Sequence, residues 1–454
     1  MRTMSATPTS SQRVTHRAVL AIALPIMAAN VSEPLIGVVD TAVIGRLPEP
    51  YYIGAVALGG VIFSVLFSAF GFLRMGTTGM TAQADGVGDR DELRAVLARA
   101  LMIAGACGLA LIVASPLLRR TAFAVIEGSQ AVESQASAYF DIRIWAAPFS
   151  LANYAFLGWF IGLGRAGTAF ALQILLNVTN MALNIVFVLG FGMAVEGVAL
   201  GSLLAAMVAA TGGAWAVSRE LARRGGGWQW PAILAPARLR RTLRVNGDIM
   251  VRSLCLLLSF SFFTAQGAKA GDLVLAANAV LMNFLYVYSF VLDGFAHASE
   301  TLVGRAAGRR DRDLFRRAAG ISTLWAVAVS VALAALAILA GPLAIDGLTV
   351  NPEIRETARA YLPWVALAPV VGVWSFQLDG IFIGATESRE MRNMMIVSVA
   401  IYLGAWALLT PIWGNHGLWM SLLVLFAARA ATLAARLPTL DRTLFGTPGP
   451  VAAR

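Results

Sequence analysis

The chain has 454 residues, 58% of them hydrophobic and 13% charged, with 35 basic against 25 acidic side chains and a formal net charge of +10. Water-soluble globular proteins carry roughly 45–50% apolar and about 25% charged residues, so this composition excludes a water-soluble enzyme. The apolar excess runs along the whole chain, and at about 20 apolar residues per crossing it makes room for roughly a dozen transmembrane helices.

Breaks at charged or Pro/Gly-rich stretches predict an all-α polytopic membrane protein with twelve helices, at about 18–45, 53–81, 95–117, 138–163, 168–190, 197–217, 246–268, 273–303, 318–340, 361–384, 393–413 and 417–436. The first stretch is too long for a signal-peptide h-region and no small-residue cleavage site follows it, so it is expected to remain as the first crossing. The longest polar interruption, Arg219 to Arg244, contains Gly225-Gly226-Gly227, Pro231 and Pro236. It divides six helices from six. The expected organisation is a tail over 1–17, a six-helix bundle over 18–218, a linker over 219–245, a second bundle over 246–436 and a tail over 437–454.

Arginines concentrate on the linker side of the predicted crossings. The positive-inside rule therefore places the linker and both termini in the cytoplasm. This also explains the basic balance without nucleic acid as a partner. The halves echo one another at an offset of about 220 residues: Val87-Gly88-Asp89-Arg90-Asp91 against Ala307-Gly308-Arg309-Arg310-Asp311, and Phe160-Ile161-Gly162 against Phe382-Ile383-Gly384. Two bundles repeated in the same orientation imply a pseudo-two-fold axis along the membrane normal and a cavity between bundles that rock against each other.

An ionisable side chain inside a crossing costs roughly 3 kcal/mol on insertion scales, so each is a candidate for function. The first helix carries Glu33 and Asp40, seven residues apart and on one face. Pro25 and Pro34 each remove a backbone hydrogen bond there and allow the helix to bend. Asp40 reads as a proton-coupling acid, against the alternative of a static structural pair; Glu33 is a second candidate. In the fifth helix Asn177, Asn180 and Asn184 share a face, either as interhelical glue or as the lining of a wet cavity with Asp40 as neighbour. The eighth helix carries Tyr286, Asp293, His297 and Glu300 on one face, and the tenth carries Asp379. These form an expected second polar pocket, with burial of Asp293 and Asp379 against Arg252 or Arg74 as the structural alternative, Glu300 near a cytoplasmic helix end, and Arg429 snorkelling.

Other chemistry lacks its signature. There is no GxxxxGK[ST] loop for ATP and no HExxH or GxSxG motif. Cys107 and Cys255 lie inside apolar stretches with no Cys/His cluster, so no metal or cofactor is expected. A membrane-embedded enzyme is the weaker alternative: its expected sign is a His/acid cluster at one membrane surface, which only His297 with Glu300 approaches, and a scaffold has no need of acids inside the crossings.

These residues resemble the multidrug and toxic compound extrusion (MATE) family, in its DinF-like branch, within the wider multidrug/oligosaccharidyl-lipid/polysaccharide exporter superfamily. The resemblance is carried by Leu24-Pro25-Ile26 with Gly37-Val38-Val39-Asp40-Thr41, by Leu73-Arg74-Met75-Gly76-Thr77-Thr78-Gly79, by Asp293-Gly294-Phe295-Ala296, by Leu378-Asp379-Gly380 and by Gly414-Asn415-His416-Gly417. It implies an inner-membrane antiporter, working as a monomer among membrane lipids, that exports small amphipathic, often cationic compounds against protons or sodium. The family's proton site transfers to Asp40, its bending point to Pro25, and its polar pocket to Asn180 and Asn184. Asparagine at 184, where some relatives have an acid, argues for protons over sodium, because a hard cation wants several charged oxygens. A lipid-linked oligosaccharide flippase of the same superfamily is the alternative within transport.

Overall fold

The computed structural model describes residues 14–47, 49–125 and 129–446, with the side chains of Glu33, Leu35 and Val125 outside that description. The first half contains α1 (His16–Ile44), α2 (Tyr51–Ser68), α3 (Phe72–Val87), α4 (Arg90–Val113), α5 (Ser115–Val125), α6 (Gln130–Arg143), α7 (Ala147–Gly162), α8 (Ala166–Ile185) and α9 (Val195–Arg224). A short α10 (Trp230–Ile233) follows. The second half contains α11 (Pro236–Lys269), α12 (Asp272–Gly308), α13 (Arg312–Leu348), α14 (Pro352–Gly384), α15 (Ser388–Ala434) and α16 (Leu437–Phe445).

Among the described residues, eleven helical segments are long and apolar enough to cross a membrane. In the last, α15 is itself two helices meeting at Gly414, whose φ of +54° lies in the left-handed region that glycine alone enters cheaply. The predicted helices 393–413 and 417–436 fall on either side of it. Several boundaries differ from expectation: the predicted 53–81 is broken into α2 and α3, and 318–340 and 361–384 are the inner parts of the longer α13 and α14. The polar interruption between the halves is mostly helical: α9 reaches Arg224 and α11 starts at Pro236, leaving 225–229 and 234–235 outside helices. Arg94 stops α9 by donating to the carbonyls of Leu221 and Gly225, both at 3.0 Å, a cation placed at the negative end of the helix dipole. Within the predicted C-terminal tail, residues 437–445 form α16; of the predicted N-terminal tail, 1–13 lie outside the described residues.

The internal repeat appears as repeated turn geometry. Gly88 (φ +80°) precedes Asp89, whose carboxylate accepts from the Glu92 N–H at 2.8 Å to cap α4. Arg310 (φ +53°) precedes Asp311, which caps α13 through Leu314 N–H at 2.9 Å in the same way. Gly164 and Thr386 stand in the left-handed region at the ends of α7 and α14, and Gly192 matches Gly414.

Contacts across the middle are reciprocal. Gly86 of α3 lies against the Arg305 carbonyl of α12, while Gly308 of α12 lies against the Gln83 carbonyl of α3. Within each half the same device recurs: Gly158 of α7 meets the Arg74 backbone of α3, and Gly380 of α14 meets the Ala296 backbone of α12. At each position a Cβ would collide with main chain, so glycine sets how closely the helices approach. One buried cluster, with Trp159, Phe160, Phe295 and Phe382, joins the halves here. Polar contacts add to it: Asp85 accepts from Arg224 at 2.6 Å and forms an ion pair with Arg305 at 2.8 Å, and Gln83 donates to the Gly384 carbonyl at 3.0 Å.

Candidate functional site

The first site is built on α1. This helix stays helical through Pro25 and Pro34, although each proline deprives one upstream carbonyl of its donor. It packs against α8 of its own half and α12 of the other. Asn30, whose carbonyl Pro34 leaves without a helical partner, uses its side chain to donate to the Phe290 carbonyl of α12 at 3.1 Å. The bendable helix therefore touches both halves.

Asp40 lies near the end of α1 and is half-buried. Asn184 Nδ2 donates to Asp40 Oδ1 at 2.5 Å and also approaches Asn180 Oδ1 at 3.3 Å. Asn180 in turn donates to Ser202 of α9 at 2.8 Å. Asn177 donates to Ser32 of α1 at 2.7 Å and accepts from Gln173 at 3.0 Å. All three asparagines are buried, between 0% and 4% exposed, so the predicted stripe on α8 faces α1 as a continuous polar seam. Asp40 and Tyr139 border a cavity of about 350 Å³ between α1, α2 and α6, whose walls include Gly37, Thr41, Ile44 and Ser64.

Sequence reasoning missed Tyr139 and Arg143. Tyr139 is fully buried beside Ser202, and Arg143, one helical turn on, has its guanidinium 5.7 Å from the centre of the Phe63 ring and faces Asp40 electrostatically. The spacing of these two residues put both on one face of α6, but nothing in the sequence indicated which neighbour that face met. Glu33 belongs to α1, but its side chain lies outside the described residues.

The second group divides. Asp379 Oδ2 accepts from two guanidiniums, Arg252 Nη2 and Arg429 Nη2, the latter at 2.6 Å. Arg429 is 3% exposed; it bonds in the interior and does not snorkel. Arg74 is not among the Asp379 partners. His297 Nδ1 meets Glu300 Oε2 at 2.8 Å, both buried well inside α12, which continues to Gly308, so Glu300 is no helix-end residue. Asp293 is half-buried and faces Arg74, Arg252 and His297 without an ion pair to any of them. Tyr286 does not join the group: it is 54% exposed and two turns away along α12. Asp248, near the start of α11, is bonded to Arg392 at 2.6 Å and to Ser388 at 2.9 Å.

The MatE family model matches residues 25–186 and 249–406. The chain is 41% identical over 420 residues to the DNA damage-inducible protein F of Escherichia coli (strain K12), covering 91% of this chain and 90% of that protein. It is 26% identical over 422 residues to a probable multidrug resistance protein NorM of Synechococcus sp., covering 88% and 89%. A solved structure described as the outward-facing conformation of a multidrug resistance MATE family transporter of the MOP superfamily superposes with a TM-score of 0.85 at 18% identity, covering 97% of this chain and 100% of that one. At that identity the likeness shows the fold.

Proposed function

The chain belongs to the MatE family of transporters, and from that premise we propose that it is a proton-driven antiporter, exporting small amphipathic, cationic compounds by alternating access between two six-helix bundles. The observation that carries this reading is Asp40: a carboxylate inside an apolar helix, hydrogen-bonded by a neutral amide, with Arg143 nearby but no ion pair among the described residues, beside a cavity of about 350 Å³. A carboxylate in that setting has two ways to be satisfied. It can neutralise a cationic substrate, or it can take up a proton.

Asn184 supports the exchange because its amide can donate to the ionised carboxylate and accept from the protonated one. Proton entry removes the counter-charge that retains a cation, and the substrate leaves. The same event changes the balance of forces on α1, where Pro25 and Pro34 lower the cost of bending, and the Asn30 bond to α12 carries that bend to the other half. A membrane potential contributes about 2.3 kcal/mol per charge per 100 mV to this cycle. Sodium is the less suitable ion, since Asp379 already holds two arginines. The arginine distribution supports an inner-membrane setting with both termini cytoplasmic, and the transporter acts as a monomer.

The test is ethidium efflux from energised cells lacking their own pumps. Wild-type efflux stops when a protonophore is added, and Asp40→Asn at equal expression fails to export. Full export by Asp40→Asn would remove Asp40 from the coupling role.

A further inference from the structure

We propose that the junction of the two halves carries a binding subsite for an oxyanion, a carboxylate, sulfonate or phosphate group on an otherwise apolar ligand, formed by Arg74 of α3 and Arg252 of α11. The inference does not rest on proton coupling at Asp40.

The helices run antiparallel where they meet. α3 ends near the Gln83–Gly384 contact, and α11 sets out from the same end, where Arg241 reaches Thr386. Gly76 of α3 has Asn246 and Ile249 of α11 directly against it. Arg74 lies two residues before Gly76, and Arg252 lies three residues after Ile249 and six after Asn246, so at about 1.5 Å per residue the two arrive within roughly 2 to 6 Å of the same level. Both guanidiniums face Asp293 of α12.

The hydrogen-bonding capacity at this level is unfilled. Arg252 is 7% exposed and gives one nitrogen to Asp379, while its Nε is buried with no partner. Arg74 Nε is also buried with no partner, and among the described residues no ion pair joins the Arg74 guanidinium. Beside Gly76, six residues before Arg252 on α11, Asn246 is 3% exposed with both amide atoms buried and unbonded. Buried polar groups without partners are rare in folded proteins and call for an occupant.

The chemistry of that occupant follows from the donors. Two Nε–H groups and an amide NH₂ present an excess of donors over acceptors, and guanidinium forks match planar or tetrahedral oxyanions in a bidentate manner. Asp379 is already committed to Arg252 and Arg429, and Glu300 to His297. Asp293 is the acid left facing both guanidiniums without a bond to either, so an incoming oxyanion competes with it alone.

The test uses the purified full-length protein in phosphatidylcholine nanodiscs, titrated with dansylglycine and with its neutral analogue dansylglycinamide. Wild type binds the carboxylate about tenfold more tightly than the amide. Arg74→Gln erases the preference, Arg74→Lys keeps part of it, and Asp293→Asn strengthens it. If adding phosphatidylglycerol abolishes dansylglycine binding to wild type, the oxyanion supplied by the membrane is a lipid headgroup; if it does not, the site serves free ligands. Equal affinity for both probes would overturn the proposal, as would a preference that survives in folded Arg74→Gln. Should Arg74→Gln not fold, unchanged binding by Asp293→Asn would overturn it instead. The assay reads binding, so its failure leaves the exporter reading intact, and a failure of ethidium efflux leaves this subsite intact.

Discussion

At the offset that lays Asp89 on Asp311 and Gly192 on Gly414, Asp40 falls on Phe262, Asn180 on Tyr402 and Asn184 on Trp406. The second half answers the first half's polar seam with aromatic rings: Phe262 meets Trp406 edge-on at 4.9 Å and Tyr402 at 5.9 Å between centroids. The exchange also runs the other way. Asp379 falls on Leu157 and Arg252 on Asn30. The same backbone thus carries an acid held by one amide in one half and an acid clamped by two guanidiniums in the other. An amide accepts either charge state of its carboxylate partner. A doubly paired carboxylate is the counter-charge of two buried arginines, which would be left uncompensated without it. On the function proposed above, switching belongs to the first half and a fixed charge framework to the second.

Breaking the framework gives the largest expected effect. Asp379→Ala leaves Arg252 and Arg429 uncompensated and costs about 3–5 kcal/mol, read as a fall in the melting temperature of the purified protein. Removing Pro25 comes next. Pro25→Ala restores a backbone donor and favours the straight helix by up to about 3 kcal/mol, so stability rises while efflux falls; unchanged efflux would separate bending from transport. Asn184→Leu strips Asp40 of its hydrogen-bond donor and costs about 1–3 kcal/mol, read as a lower melting temperature together with weaker efflux. The smallest effect belongs to the aromatic counterpart. Phe262→Leu loses edge-on contacts of about 0.5–1.5 kcal/mol and leaves protonophore-sensitive efflux in place. A loss of coupling in Phe262→Leu as complete as in Asp40→Asn would erase the distinction between the halves.

Much of this was legible in the sequence because membranes penalise charge so strongly. Asp40 and the three asparagines stood out against apolar runs, and helical spacing alone put the asparagines on one face. The repeat was legible through its turns, since Gly88-Asp89 and Arg310-Asp311 are local motifs. Depth was not legible. Tyr286 shares a face with Asp293, but seven residues along a helix are about 10 Å, which removes it from the cluster. Partners distant in sequence were equally hidden: the Arg429–Asp379 pair crosses from α15 to α14, and no periodicity indicates which apolar helix receives an arginine. The inter-half boundary was overdrawn because polar residues mark where a chain leaves the apolar layer, not where a helix stops; α9 runs on to Arg224.

Competition between proton and cation at Asp40 is measured most directly as proton release when ethidium binds the purified transporter in weakly buffered solution, at a pH where the carboxyl is partly protonated. Wild type and Asp293→Asn should release protons on binding, and Asp40→Asn should release none. Release of equal size from Asp40→Asn would contradict the assignment of Asp40 as the site where the two ions exchange.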